Sequence, residues 1–89
     1  PGPVELQIRE KLTARFQPTE LEVENQSHLH AHHEAMRGVT NSETHFKVTI
    51  VAEYFRHLKP LQRHRAVYSL LQPELDAGLH ALSLQTKAP

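Results

Sequence analysis

Apolar positions recur along this chain with two periods, four residues in some stretches and two in others, and their succession predicts the order of its elements. Val4, Ile8, Leu12 and Phe16 share one slowly drifting helical face, Pro3 suits a first helical turn, and Glu5 stands four residues before Arg9. A helix of about three to four turns is therefore predicted, ending before Pro18 with its apolar stripe on the core. From Thr19 to Asn25, Leu21 and Val23 alternate with Glu20, Glu22 and Glu24, as expected of a strand with one buried and one wet face. Ser42 to Ala52 alternates again, with Phe46, Val48, Ile50 and Ala52 on one face and His45, Lys47 and Thr49 on the other. Antiparallel pairing of the two strands would set Lys47 beside the glutamate stripe.

Tyr54 to Lys59 reads as an irregular or short helical connection, and Pro60 is placed to open a second full helix. Leu61, His64, Tyr68, Leu71 and Leu75 follow a 3, 4, 3, 4 spacing, which predicts one apolar face carrying His64 and Tyr68 as structural residues, with Arg63 and Arg65 pointing elsewhere. Pro73 must kink or break that helix, and Gly78 is the natural terminator. Leu79 to Thr86 forms a last short strand through Leu82 and Leu84, with His80 on their face at its beginning as a partly buried, oriented imidazole. Helix, strand, strand, short helix, helix, strand is an α+β order, with helices on one face of a three-stranded sheet.

Composition narrows the function classes. Eighty-nine residues with 38% hydrophobic and 22% charged side chains are expected to make one domain over 1–89, and no apolar run approaches membrane-spanning length. The opening Pro-Gly-Pro without Met suggests a trimmed or mature form, so localisation is not readable from the chain. Ten basic and ten acidic residues balance, which argues against attachment to nucleic acid or anionic lipid by overall charge. Zero cysteines exclude disulfides, thiolate ligation and a cysteine nucleophile. Because iron–sulfur clusters are held mostly by thiolates, such a chain could supply only part of a cluster's ligands and a partner would bring the sulfur. No Ser-His-Asp order, P-loop or HExxH motif points to a conventional enzyme.

The densest candidate chemistry is the stretch Ser27 to Gly38, SHLHAHHEAMRG, inside a connection that runs from about Gln26 to Asn41. It holds four of the eight histidines, His28, His30, His32 and His33, either as a solvated pH-sensitive loop or as metal ligands. Taken with them, His80 becomes the natural second ligand; zinc or nickel binding by the loop alone is a further reading. A different possibility lies between Tyr54 and Pro73, where Arg56, Lys59, Arg63 and Arg65 occur without an acidic residue and suggest DNA contact. Four charges would give weak, salt-sensitive binding, with metal-dependent nuclease action through the histidine loop as an extension.

The run SETHFKVTIVAEYF, followed by PLQRHRAVYSLLQPEL and then GLHALSLQTKAP, resembles the BolA-like family, in the branch that includes eukaryotic UV-inducible and organellar members. The resemblance covers nearly the whole chain. It implies an α-β-β-α-α-β fold similar to a class II KH domain, built on a three-stranded mixed sheet. The chain lacks the GxxG loop with which a KH domain clamps a nucleic-acid backbone. It further implies a monomer that forms a heterodimer with a monothiol glutaredoxin to share a bridging [2Fe-2S] cluster, with glutathione and glutaredoxin cysteine supplying thiolates and no cluster on the chain alone. The role would lie in iron–sulfur protein maturation or in iron, redox and stress regulation, in a plastid, a mitochondrion or the cytosol. Residue by residue, the histidine of GLHAL falls on His80 and the variable His or Cys ligand of the first hairpin loop on His30, with His28, His32 and His33 as possible substitutes. His57 stands where the family usually has Gly and Ala52 where it often has Ser, which questions the turn after Phe55.

Overall fold

The computed structural model describes residues 1–27 and 43–89. Helix α1, Pro3–Phe16, has proline in its first turn, the Glu5–Arg9 pair at 3.3 Å, and Ile8, Leu12 and Phe16 buried. It stops because Gln17 turns left-handed, φ 48°, with its N–H donated to the Thr13 carbonyl at 3.0 Å, and Pro18 cannot extend it. Strand β1, Glu20–Asn25, pairs antiparallel with β2, His45–Val51, in the register Glu24 to Lys47 and Val23 to Val48. The expected juxtaposition of Lys47 with the glutamates is present, on the face where Glu22, Glu24, Lys47 and Thr49 surround a shallow pocket.

A single 3₁₀ turn, Glu53–Phe55, leads from β2 to α2, Pro60–Leu70; a break at Leu71 separates α2 from α3, Gln72–Asp76. Pro73 sits in the first turn of α3, so it breaks the helix rather than kinking it. Gly78, at φ 127°, makes the turn into β3, Ala81–Lys87, which lies parallel to β2 with Phe46 beside Leu82. The sheet order is β1-β2-β3, a mixed sheet whose apolar face packs Val23, Phe46, Val48, Ile50 and Leu82 against Ile8, Leu12, Phe16, Val67 and Leu71 of the helices. The turn after Phe55 needs no glycine: among the described residues other than glycine only Gln17 has positive φ, so His57 sits there without that strain.

Two expectations require correction. The buried residues of α2 and the break after it are Val67 and Leu71, with Ala66 and Leu70 packed beside them, whereas Leu61 is 60% and Tyr68 36% exposed. The helix is rotated relative to the stripe read from its largest apolar side chains, which leaves His64 half-buried on its flank. Arg63, expected to point away, is half-buried and lays its stem along the protein, with Nε donating to the Leu58 carbonyl at 2.9 Å. Tyr68 sits at the rim, its hydroxyl donating to the Leu82 carbonyl of β3 at 2.5 Å.

The edges of the sheet are covered from the helix layer. Arg9 donates to the Val23 carbonyl of β1 at 3.0 Å, while Tyr68 and Arg63 reach the Leu82 and Thr86 carbonyls of β3. Outward carbonyls of edge strands are thereby engaged inside the molecule, which blunts pairing with another chain.

Candidate functional site

The site is built at the end of the sheet where β2 and β3 begin. Ser27 and Thr44 stand on either side of the segment 28–42, and the Ser27 hydroxyl accepts the backbone N–H groups of Thr44 at 2.9 Å and His45 at 3.1 Å. Gln26 donates its N–H to the His45 carbonyl at 2.7 Å, and the Ser27 N–H is held by the Asn25 side chain at 2.9 Å. The residues that flank the segment are thus fixed to each other by side-chain and backbone bonds. The Thr44 carbonyl then accepts both the His80 N–H at 2.7 Å and the Ala81 N–H at 3.0 Å, so the same peptide that closes the loop base also fixes the start of β3.

Parallel register places His45 opposite Ala81, and the His45 and His80 rings meet with centroids 5.2 Å apart and planes tilted by 47°. The two imidazoles have unlike surroundings. His45 is buried, 9% exposed, with Nδ1 2.8 Å from the Thr44 hydroxyl. His80 is exposed and lies just ahead of the strand, so the expected partial burial of its ring is not what the structure has. The reason is local: Gly78 turns the chain, Leu79 takes the buried place, and His80 projects before β3 starts. Chemically, an exposed imidazole backed by a buried one can offer a nitrogen lone pair to a metal on an approaching surface without prior unfolding.

Of the other residues singled out by sequence, His28, His30, His32 and His33 lie outside the described residues. Among the described residues, no cluster of three or more His, Asp or Glu side chains forms a metal site. The alternation puts His45 on the wet face of its strand, yet the structure buries it; nothing in the sequence places it beside His80, because that neighbourhood depends on the parallel register of β2 and β3. The basic stretch is partly consumed in internal contacts. Arg56, itself exposed, pairs with Glu53 at 2.6 and 2.9 Å and also reaches the Pro89 carbonyl, and Arg63 is spent on backbone carbonyls, which leaves the exposed Lys59 and Arg65 outside these contacts. The Arg56 hydrogen bond holds the exposed Glu53 carboxyl below the usual carboxylate range. No helix among the described residues is long and apolar enough to cross a membrane.

Comparison with known proteins agrees with this architecture. The chain is 50% identical over 82 residues to "Protein BOLA1, chloroplastic" of Arabidopsis thaliana, an alignment covering 92% of this chain and 51% of that protein. It is 49% identical over 86 residues to "SufE-like protein 1, chloroplastic/mitochondrial" of the same plant, covering 94% of this chain and 23% of the relative. The chain therefore spans about half or less of these two relatives. A bacterial relative, "DNA-binding transcriptional regulator BolA" of Haemophilus influenzae, is 43% identical over 82 residues, covering 92% of this chain and 74% of that protein. The solved structure "BolA1 from Arabidopsis thaliana" superposes with a TM-score of 0.86 at 48% identity, over 96% of this chain and 90% of that one. With the family model for BolA-like protein matching residues 12–89, the chain belongs to the BolA-like family.

Proposed function

We propose that this chain is an iron–sulfur adaptor, which pairs with a monothiol glutaredoxin and contributes His80 and His30 to a bridging [2Fe-2S] cluster in iron–sulfur protein maturation or iron and redox regulation. The observation that carries the reading is the exposed imidazole of His80 anchored through the Thr44 carbonyl to the base of the histidine-bearing segment. Only two residues separate His30 from Ser27, whose hydroxyl closes that base. The donor set fits the group: a chain without cysteine can offer imidazole nitrogen but no thiolate, so glutaredoxin cysteine and glutathione complete the ligands. Histidine in place of thiolate on one iron raises the potential of such a cluster. From the chloroplastic and chloroplastic/mitochondrial relatives we infer a plastid or mitochondrion as the setting.

The test is anaerobic reconstitution of the chain with a monothiol glutaredoxin, glutathione, iron and sulfide, followed by visible absorption and circular dichroism. His80→Ala is expected to abolish the mixed histidine–thiolate signature, whereas His30→Ala weakens it if His28 or His32 substitutes. A cluster whose spectrum and lifetime are untouched by the double substitution sinks the ligand assignment.

DNA binding is the second reading, favoured by the name of the Haemophilus influenzae relative. With Arg56 and Arg63 held by internal acceptors, the exposed Lys59 and Arg65 carry it. Their replacement by Ala is expected to weaken binding and flatten its salt dependence; affinity indifferent to both removes this surface.

A further inference from the structure

We propose that His45 is a positioning residue for His80: its buried ring is the wall that keeps the exposed imidazole in one orientation, presented for ligation. The proposal rests on the iron–sulfur reading above and extends it to a residue whose side chain need not touch the cluster.

Three features of the geometry carry it. His80 is exposed and precedes the first residue of β3, a position at which an imidazole is ordinarily free to sample its staggered χ1 wells. Its ring nevertheless meets the His45 ring at a 5.2 Å centroid distance, within the range of tilted ring contacts. His45 itself is held from several sides. It is 9% exposed, its N–H goes to the Ser27 hydroxyl at 3.1 Å, its carbonyl accepts from Gln26 at 2.7 Å, and Nδ1 lies 2.8 Å from the Thr44 hydroxyl.

The backbone of His80 is fixed by the same unit. Its N–H goes to the Thr44 carbonyl at 2.7 Å, so Thr44 holds the main chain of one histidine and the side chain of the other. Ser27, Thr44 and His45 thus form a seat against which the outer ring of His80 is presented to a partner's metal. Preorganisation of this kind raises affinity because a binding-competent orientation already populated need not be selected from others. Three equally populated χ1 wells reduced to one would change the competent fraction by about threefold.

Two measurements test the assignment. In the chain alone, the χ1-dependent scalar couplings of His80 are measured by NMR; in the reconstituted glutaredoxin complex, cluster lifetime and circular dichroism are followed under glutathione. His45→Ala is expected to average the His80 couplings and shorten the lifetime about threefold while the histidine–thiolate signature persists. His45→Phe keeps a flat ring without a nitrogen and is expected to restore both. If His45→Ala does not fold, His45→Leu fills the space without a flat face and takes its place.

Unaveraged couplings and an unchanged lifetime in the Ala or Leu variant overturn the proposal. Loss of the histidine–thiolate signature in His45→Phe as complete as in His80→Ala also overturns it, because His45 would then be a ligand. Failure of the iron–sulfur reading is distinguishable: His80→Ala would leave the spectrum unchanged, while the couplings of the isolated chain still report whether His45 orients His80.

Discussion

The two ends of the sheet use rings in opposite ways. At the end where β1 starts and β2 finishes, Phe16, Tyr54 and Phe55 pack ring on ring, with centroids 5.0 to 5.8 Å apart, and the Arg15 guanidinium lies 4.6 Å from the Tyr54 ring centroid. The Arg15 guanidinium also donates to the Tyr54 hydroxyl at 3.0 Å, and the neighbouring Arg56 is occupied by Glu53 and the Pro89 carbonyl. That end is saturated in the sense that its Arg15, Tyr54, Glu53 and Arg56 side chains are directed to partners within the chain. At the other end, the support is equally firm, but it terminates in an exposed imidazole. A fold can thus be held by one end of its sheet while the other presents chemistry, and substitutions at the two ends are expected to separate stability from ligation.

The largest effect is expected at the saturated end. Phe55 is fully buried between the core and the Phe16 ring, so Phe55→Ala removes a large apolar side chain where neighbours are already fixed. A loss of about 3 to 5 kcal/mol in urea unfolding follows from lost transfer energy and cavity formation. The His80 couplings of the fraction that remains folded should not move. If they do, the two ends are not separable.

A smaller effect is expected at the site end, from a residue that joins it to α1. Helix α1 begins after Gly2, which has no capping side chain; the Glu43 carboxylate supplies the cap instead, accepting the Val4 N–H at 3.2 Å and the Glu5 N–H at 2.8 Å. The approach is close enough that a Cβ on residue 2 would fall 2.4 Å from the carboxylate, which is why glycine suits that place. An anion at a helix N-terminus satisfies orphan donors and opposes the helix dipole. Glu43→Ala is expected to cost about 1 to 2 kcal/mol, read as a fall in Tm of roughly 4 to 8 °C per kcal/mol for a domain of this size. Gly2→Ala should fall in the same direction. Unchanged Tm in both would mean that α1 is fixed only by its apolar face.

How much of this was legible depends on the range of the interaction. Val4, Ile8, Leu12 and Phe16, and the alternation from Phe46 to Ala52, are local periodicities, and the elements formed where those periods run. The buried face of α2 departs from the sequence pattern because Leu61 and Tyr68 outweigh Ala66 and Val67 in size, while the side chains that become buried are decided by how the helix crosses the sheet. The pairing of His45 with His80 lies further out of reach. It joins positions 35 residues apart through a parallel register that leaves no periodic signature in either segment. His80 is singled out in the sequence both by an expected partial burial at the start of the last strand, which the structure does not have, and by its place in the GLHAL motif; its exposure follows from the Gly78 turn.

The smallest effect is expected from the exposed pair at the saturated end. The Glu53 carboxylate accepts two bonds from Arg56, and this hydrogen bonding holds its pKa below the usual value, while the same contact raises that of Arg56. A carboxyl whose folded pKa is depressed contributes stability that is present above its unfolded pKa and is lost as pH falls through the folded value. Both partners are open to solvent, so the pair is screened by salt and its share of the stability is small. Titration of the Glu53 side-chain carbon by NMR at low ionic strength should show a midpoint below that of an unpaired glutamate. The midpoint should rise towards the ordinary value in Arg56→Ala and, to a lesser degree, in 1 M salt. Because His80 stands at the opposite end of the strands, its couplings should be indifferent to either change. A Glu53 midpoint that ignores Arg56→Ala would show that the pair does not persist in solution, and Arg56 would then return to the free basic residues available for nucleic acid.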